Sequence, residues 1–591
     1  MRRWLRAGAV AIALVGWACA AGASEANAQE TGKLHALFDS QWEDYARDAP
    51  VESTFRGDLR YNDRLPDLSA QARASRDARV RQWLAQARAI HRERLSHDDQ
   101  VSLDLFEYDM AMMVQEQSFP GYRSLLVGSE GGPQSELANI LREVPMATAA
   151  QADQLLKRLA AYPAFMDQQI ALLREGMAIG WVSSRDVLER ALGQLDDQLA
   201  PPVDGSAWFE AFKRLGADIP AAERERLQAA GRESIARNVV PSLRKLRAFI
   251  VDEYRPRAPA DGAMRSYPGG DRVYEYLVRS RITTPLTAQQ VHAIGVRELA
   301  ALRGEMDQVQ RQVKFDGTFA QFIAYLNTDP KFFFKGPEEL LAGYRDITKR
   351  IDPELPRLFA ELPRVPYGVR AMPAFRGPDA AEYYSQGAQD GSRAGYFNAN
   401  AVGWKSRPTW RMATLAAHES VPGHHLQIAR AMELRGLPQF RRNGYYTAYV
   451  EGWAVYAEAL GREIGLYDDP YSLFGHLQWR AFRAARLVVD TGIHSLGWSR
   501  QQAIDFMVER TGMDRGFVTS EVDRYVSDPG QALGYMIGAL KIAQLRERAK
   551  AKLGDRFDLR RFHNTVIDNG PLPLDVLDKL VDEWIEQEKS R

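Results

Sequence analysis

The sequence predicts a mainly α-helical protein of two lobes, and three observations lead to that class. Four segments carry a helix-start signature, apolar residues recur at helical rather than alternating spacing, and 591 residues exceed what one hydrophobic core encloses. Thr148 with Gln151, Thr287 with Gln290, Thr318 with Gln321 and Ser499 with Gln502 have the capping-box spacing, in which the hydroxyl and the amide satisfy backbone groups reciprocally. Leu155, Leu156, Leu159 and Ala160 share one face of the first such helix, and Met166, Ile170 and Leu173 repeat the pattern after Pro163. Only two segments, 365–372 and 395–400, read as strands.

Composition is that of a globular protein, 45% hydrophobic and 26% charged, which argues against disorder. The formal charge is zero, so nucleic acid is not an expected partner. Residues 1–28 read as an export signal: Arg2, Arg3 and Arg6 precede an apolar run from Ala7 to Gly22, and Ala26-Asn27-Ala28 has the small-x-small cleavage pattern. That run is too short to span a membrane, and no comparable one follows. The single cysteine, Cys19, lies inside the signal, so the mature chain has neither disulfide nor thiolate chemistry. Gly16-Trp17-Ala18 ahead of it lacks the leucine and small residues of a lipoprotein signal. A periplasmic or secreted protein is therefore expected, ahead of one lipid-anchored through Cys19. Proline and glycine between Pro256 and Gly270 suggest a boundary between an N-terminal helical lobe (29–265) and a C-terminal lobe (266–591).

Three of the ten histidines fall in the run His418-Glu-Ser-Val-Pro-Gly-His-His425. Zinc-peptidase helices place two histidines at i and i+4 with a glutamate after the first. Here position i+4 is Pro422. On an unbroken helix His424 would point ~120° away from His418, and His425 would lie ~10 Å further along, whereas zinc requires nitrogens at about 2.0–2.1 Å. Pro422 cannot donate to the helix ladder and Gly423 tolerates unusual backbone angles. Looping out two residues then makes His424 the second ligand, with His425 the fallback or an outer support. Glu451, 27 residues after His424, is the preferred third ligand because Gly452 lets its helix come close to another. Glu458, two turns on, is placed to orient a ligand histidine.

Two histidines and a carboxylate leave zinc a position for water, whose pKa falls to about 7. Glu419 is the expected general base, and the reaction class is hydrolysis. Tyr535 is either the oxyanion donor or a core tyrosine. Arg524 and Tyr525, in Glu521-Val-Asp-Arg-Tyr525, are candidates to bind substrate, the arginine as a carboxylate clamp. His494 is either a donor to substrate or a satisfied buried histidine.

The metal run, Tyr449-Val-Glu-Gly-Trp-Ala454, Asp390-Gly-Ser-Arg-Ala-Gly-Tyr-Phe397, Leu487-Val-Val-Asp-Thr-Gly-Ile-His494 and Pro529-Gly-Gln-Ala-Leu-Gly-Tyr535 resemble the bacterial family of unknown function 885. That resemblance implies kinship with glutamate-liganded zinc peptidases, near Taq-type carboxypeptidases and neurolysin-like oligopeptidases. It implies an elongated helical fold with a deep channel, a small β-sheet beside the metal, and peptide substrates that are short or unfolded. A strand at Gly395, Tyr396 and on to Asn398 would hold the extended substrate. The proline–glycine insertion departs from that group. Two other readings compete: a non-haem iron enzyme, since two histidines and a carboxylate also hold iron, and a non-catalytic peptide-binding protein with a structural metal.

Overall fold

Helix-start chemistry is where the local structure begins. The computed structural model describes residues 4–591 apart from 130, 375, 376, 379, 390 and 392, with side chains from residue 26 onward. All four capping boxes form, at Thr148, Thr287, Thr318 and Ser499, each followed by its helix. The helix Ala149–Ala178 continues through Pro163. The architecture is mainly α, with one three-stranded sheet among the described residues. Asp390, Ser392 and the side chains of residues 1–25, which include Cys19, lie outside the described part.

Buried apolar side chains gather into three clusters. One is built from residues between Val51 and Ala258. The largest is drawn mainly from Ala263 onward, with Val101, Leu105, Trp181 and Val187 joining it. A small third cluster, Leu34 to Met110, packs against Phe440. The helix Pro470–Ser495 runs through the largest cluster and is buried almost end to end from Phe474 to His494. Its burial on every side is unusual because it carries arginines, an aspartate and histidines as well as apolar residues. The helix Ala288–Gln312 packs along it.

The strands are β1 (Tyr367–Ala371), β2 (Tyr383–Ser385) and β3 (Gly395–Ala399). Their order is β1-β3-β2. β3 pairs in parallel with β1, Tyr367 opposite Gly395, and antiparallel with β2, Tyr383 opposite Asn398. β3 is therefore the central strand and β2 an edge. No helix among the described residues is long and apolar enough to cross a membrane.

Candidate metal centre

The break expected at Pro422 is more complete than a two-residue bulge. The helix Met412–Glu419 ends after His418 and Glu419, and a second helix, His424–Glu433, begins at His424. Proline removes a donor and clashes with the preceding turn, and the Val421–Pro422 peptide is cis. The chain between folds back on the first helix, with the Gly423 N–H donating to the Ala417 carbonyl at 2.9 Å and the His425 N–H to that of Ser420 at 3.0 Å. A Cβ on Gly423 would lie 2.0 Å from the His418 carbonyl oxygen, so this crossing admits only glycine. The Trp453 indole donates to the Pro422 carbonyl at 2.9 Å and ties the break to the helix Thr447–Leu460 that carries Glu451.

Two helix ends and a third helix thus converge. His418, His424 and Glu451 are all buried, and one ligand atom from each lies within 4.8 Å of the others. Glu451 Oε2 is 3.3 Å from His424 Nε2 and 3.8 Å from His418 Nε2. Tetrahedral ligands at zinc–nitrogen and zinc–oxygen bond lengths stand about 3.3 Å apart, so the set fits such an ion. Glu451 Oε2 is buried without a hydrogen-bond partner, an arrangement that costs stability unless a cation completes it. This group can hold a metal ion.

Supporting contacts surround it. His418 Nδ1 and Glu458 Oε1 are 2.8 Å apart, which leaves Nε2 free to face the carboxylate of Glu451. Burial, with the charge of Arg483, holds the His418 imidazole well below its ordinary pKa, hence neutral. For His424, burial is outweighed by the Glu451 carboxylate, and its pKa is raised. Tyr445, absent from the sequence reading, donates its hydroxyl to Glu451 Oε1 at 3.1 Å. His425 is not in the ligand group: its Nδ1 lies 3.0 Å from the Tyr384 hydroxyl and its ring packs on Tyr367 at 4.6 Å, joining the second helix to the sheet.

A cavity of about 1050 Å³ opens on the site, walled by His418, Glu419, Arg483, Arg486 and Tyr535 and, from earlier in the chain, by residues such as Gln194 and Asp197. Burial pushes the Glu419 carboxyl up to about 8, with the His424 charge opposing it. Tyr535 lies parallel to His418, interplanar angle 8° and centroid distance 6.3 Å. Arg524 also faces the cavity, and it bonds Glu521 at 2.9 Å.

Four expected substrate contacts are placed elsewhere. His494 is fully buried, its Nδ1 accepting from the Met264 N–H at 3.1 Å and its Nε2 donating to the Tyr525 carbonyl at 3.0 Å. It is the satisfied histidine of the two readings. Tyr525 is also fully buried, its hydroxyl donating to Glu521 at 2.9 Å. Gly395 and Tyr396 sit in the central strand, whose backbone is engaged on both edges, and the Tyr396 ring is covered by Arg370 at 4.3 Å. In their place Glu382 and Tyr383, at the edge strand β2, line the cavity. Arg483 and Arg486 are the other functional candidates that sequence reasoning missed. An Arg-x-x-Arg spacing on a helix reads as a solvated face, and only the burial of the whole helix marks these two.

Two solved structures are similar over nearly their whole length. One, a candidate lipoprotein from Colwellia psychrerythraea, has a TM-score of 0.88 and 28% identity, covering 94% of this chain and 99% of that one. The other, a candidate lipoprotein of unknown function from Shewanella oneidensis, has a TM-score of 0.69 and 19% identity, covering 92% and 98%; it speaks for the fold alone. No curated protein matches. Residues 50–581 match the family described as bacterial protein of unknown function (DUF885), and the chain belongs to that family.

Proposed function

We propose that the protein is a zinc-dependent hydrolase that cleaves peptide bonds in short or unfolded peptides. The observation that carries this reading is the convergence of His418, His424 and Glu451, with His418 and its neighbour Glu419 on the wall of one cavity. The donor set favours zinc: two imidazoles, one held neutral by its surroundings, and one carboxylate, with no thiolate. The chemistry zinc supplies when bound is acidification of a water and polarisation of a carbonyl.

The chain's own groups take the remaining roles. Glu419 Oε1 is 4.0 Å from His418 Nε2, so its carboxylate accepts a proton from a water lodged beside the ligands and returns it to the leaving amine. Its raised pKa keeps that proton affinity near neutrality, and a cation alongside lowers it again. Glu458 fixes the tautomer of His418. Tyr535, whose pKa is raised by burial, stays protonated and donates to the developing oxyanion. Glu382 and Tyr383, at the outer strand β2, line the cavity and give an extended peptide a wall to lie along. A cavity of about 1050 Å³ admits several residues of chain but excludes a folded domain. The export-signal pattern of residues 1–28 and the description of the Colwellia neighbour as a lipoprotein support a reaction outside the cytoplasm, with Cys19 the residue to examine for an anchor.

The test is to incubate zinc-loaded protein and its Glu419→Gln variant with a diverse peptide library and read the products by mass spectrometry. Cleavage by the unmodified protein alone supports the reading. Equal cleavage by the variant contradicts Glu419 as base, and no cleavage by either removes peptides as the substrate.

A further inference from the structure

Arg483 and Arg486 form a second feature of the same cavity that hydrolysis itself does not use. Both are more than nine-tenths buried and both line the cavity. Arg486 donates through Nε to the Tyr525 hydroxyl at 2.9 Å and through Nη2 to Glu521 at 2.7 Å, but its Nη1 has no partner. Arg483 Nε has none either, and its ion-pair partner, Glu458, is 3.6 Å away and already bonded to His418. Glu521 in turn serves both Arg486 and Arg524. Arg483 and Arg486 therefore each keep a guanidinium nitrogen without a partner on this wall. Buried guanidinium donors left open are costly, and an anion that fills them relieves the cost.

The position of the pair says what sort of anion. The Tyr535 ring neighbours both the pair and the metal ligands: it is 6.3 Å from the His418 ring, and 4.9 and 4.2 Å from the Arg483 and Arg486 guanidinium carbons. Two steps of that size span at most about three residues of extended chain, at ~3.3–3.6 Å each. We infer that Arg483 and Arg486 bind a carboxylate of the substrate within three residues of the bond to be cut, so that the preferred peptides carry negative charge there. The carboxylate is either the free C-terminus or an acidic side chain. This inference rests on the peptide reading above and names its substrate class.

Calorimetry on the Glu419→Gln protein, zinc-loaded and metal-free, tests it with two peptide pairs. One pair is identical except for a free acid or an amide at the C-terminus. The other is amidated throughout and differs by Glu or Gln as its last residue. The carboxylate-bearing member of at least one pair should bind about 10- to 100-fold tighter, and that pair identifies the source of the charge. The preference should persist in the metal-free protein, which separates the arginines from direct binding to zinc. Adding Arg483→Gln or Arg486→Gln should reduce it to less than about 3-fold, whereas Arg483→Lys should retain part of it. If either glutamine variant fails to fold by circular dichroism, the acid–amide comparison on intact arginines still decides. Equal binding within both pairs overturns the inference and leaves the peptidase reading standing. A preference confined to the zinc-loaded protein also overturns it. Absence of any peptide binding, together with no cleavage in the library, removes both.

Discussion

Replacing Gly452 with alanine adds one methyl group at the seam between the Glu451 helix and the helix Leu533–Leu553. In a helix with nothing opposite, that change stabilises by about 0.5–1 kcal/mol. Here the added Cβ would lie 2.4 Å from Gly538 Cα and 2.9 Å from the Ala539 nitrogen, where ordinary contact begins at 3.4 Å. The atoms it meets are backbone, so no side chain can swing aside. The two helices must separate by about 1 Å, an overpacking that costs about 1–3 kcal/mol and reverses the sign of the intrinsic effect. Glu451 is the neighbouring residue, and a ligand distance tolerates about 0.2 Å. Gly452→Ala should therefore lower the melting temperature and weaken zinc binding by at least ~10-fold. Thermal denaturation and metal titration against a fluorescent chelator read both. A variant that melts at or above the parent's temperature and binds zinc equally would refute the packing argument and the placement of Glu451 with it.

Further expectations concern the site and its supports. Glu458→Gln should weaken zinc binding by about 10- to 100-fold, as loss of a carboxylate behind a ligand histidine does; an unchanged titration would show that Glu458 does not orient His418. Zinc affinity should fall as pH drops through the pKa of His424, which lies above its ordinary value. Below that point the imidazolium predominates and the ion must displace a proton, giving about one decade of affinity per pH unit. Titrations from pH 8 to pH 5 that show no slope would contradict this. His494→Ala should orphan the Met264 N–H and the Tyr525 carbonyl, costing about 1–3 kcal/mol for each buried group, yet leave zinc binding intact. A variant with unchanged melting temperature, or one that loses zinc, would contradict a purely structural histidine.

How much of this was legible depended on whether the signal was local. Capping boxes are local: Thr148, Thr287, Thr318 and Ser499 pair with residues three positions away, and all four start helices. The strands at 367–371 and 395–399 fall inside the two segments read as extended. β2 escaped notice because three residues, Tyr383–Ser385, carry no period. The central position of Gly395 and Tyr396 in the sheet was not legible for the same reason, since strand order is set by the unseen partner. At the metal site, Pro422 and Gly423 announced a break, but its size depends on Ala417 and Ser420 accepting the hydrogen bonds that close it. Helical spacing put Glu458 two turns after Glu451, while the approach of their helix to the histidines was legible only through the resemblance to glutamate-liganded zinc peptidases. The burial of Arg483, Arg486, His494 and Tyr525 was not legible, because it comes from distant segments packed around one helix.

The central claim is that His418, His424 and Glu451 form a single metal centre. Anomalous diffraction at the zinc edge, from a crystal of the protein grown with zinc, tests it most directly. The account predicts one strong peak per chain, about 2.0–2.2 Å from His418 Nε2, His424 Nε2 and a Glu451 carboxylate oxygen. A peak bound through His425 instead, or a site that stays empty at saturating zinc, would contradict it.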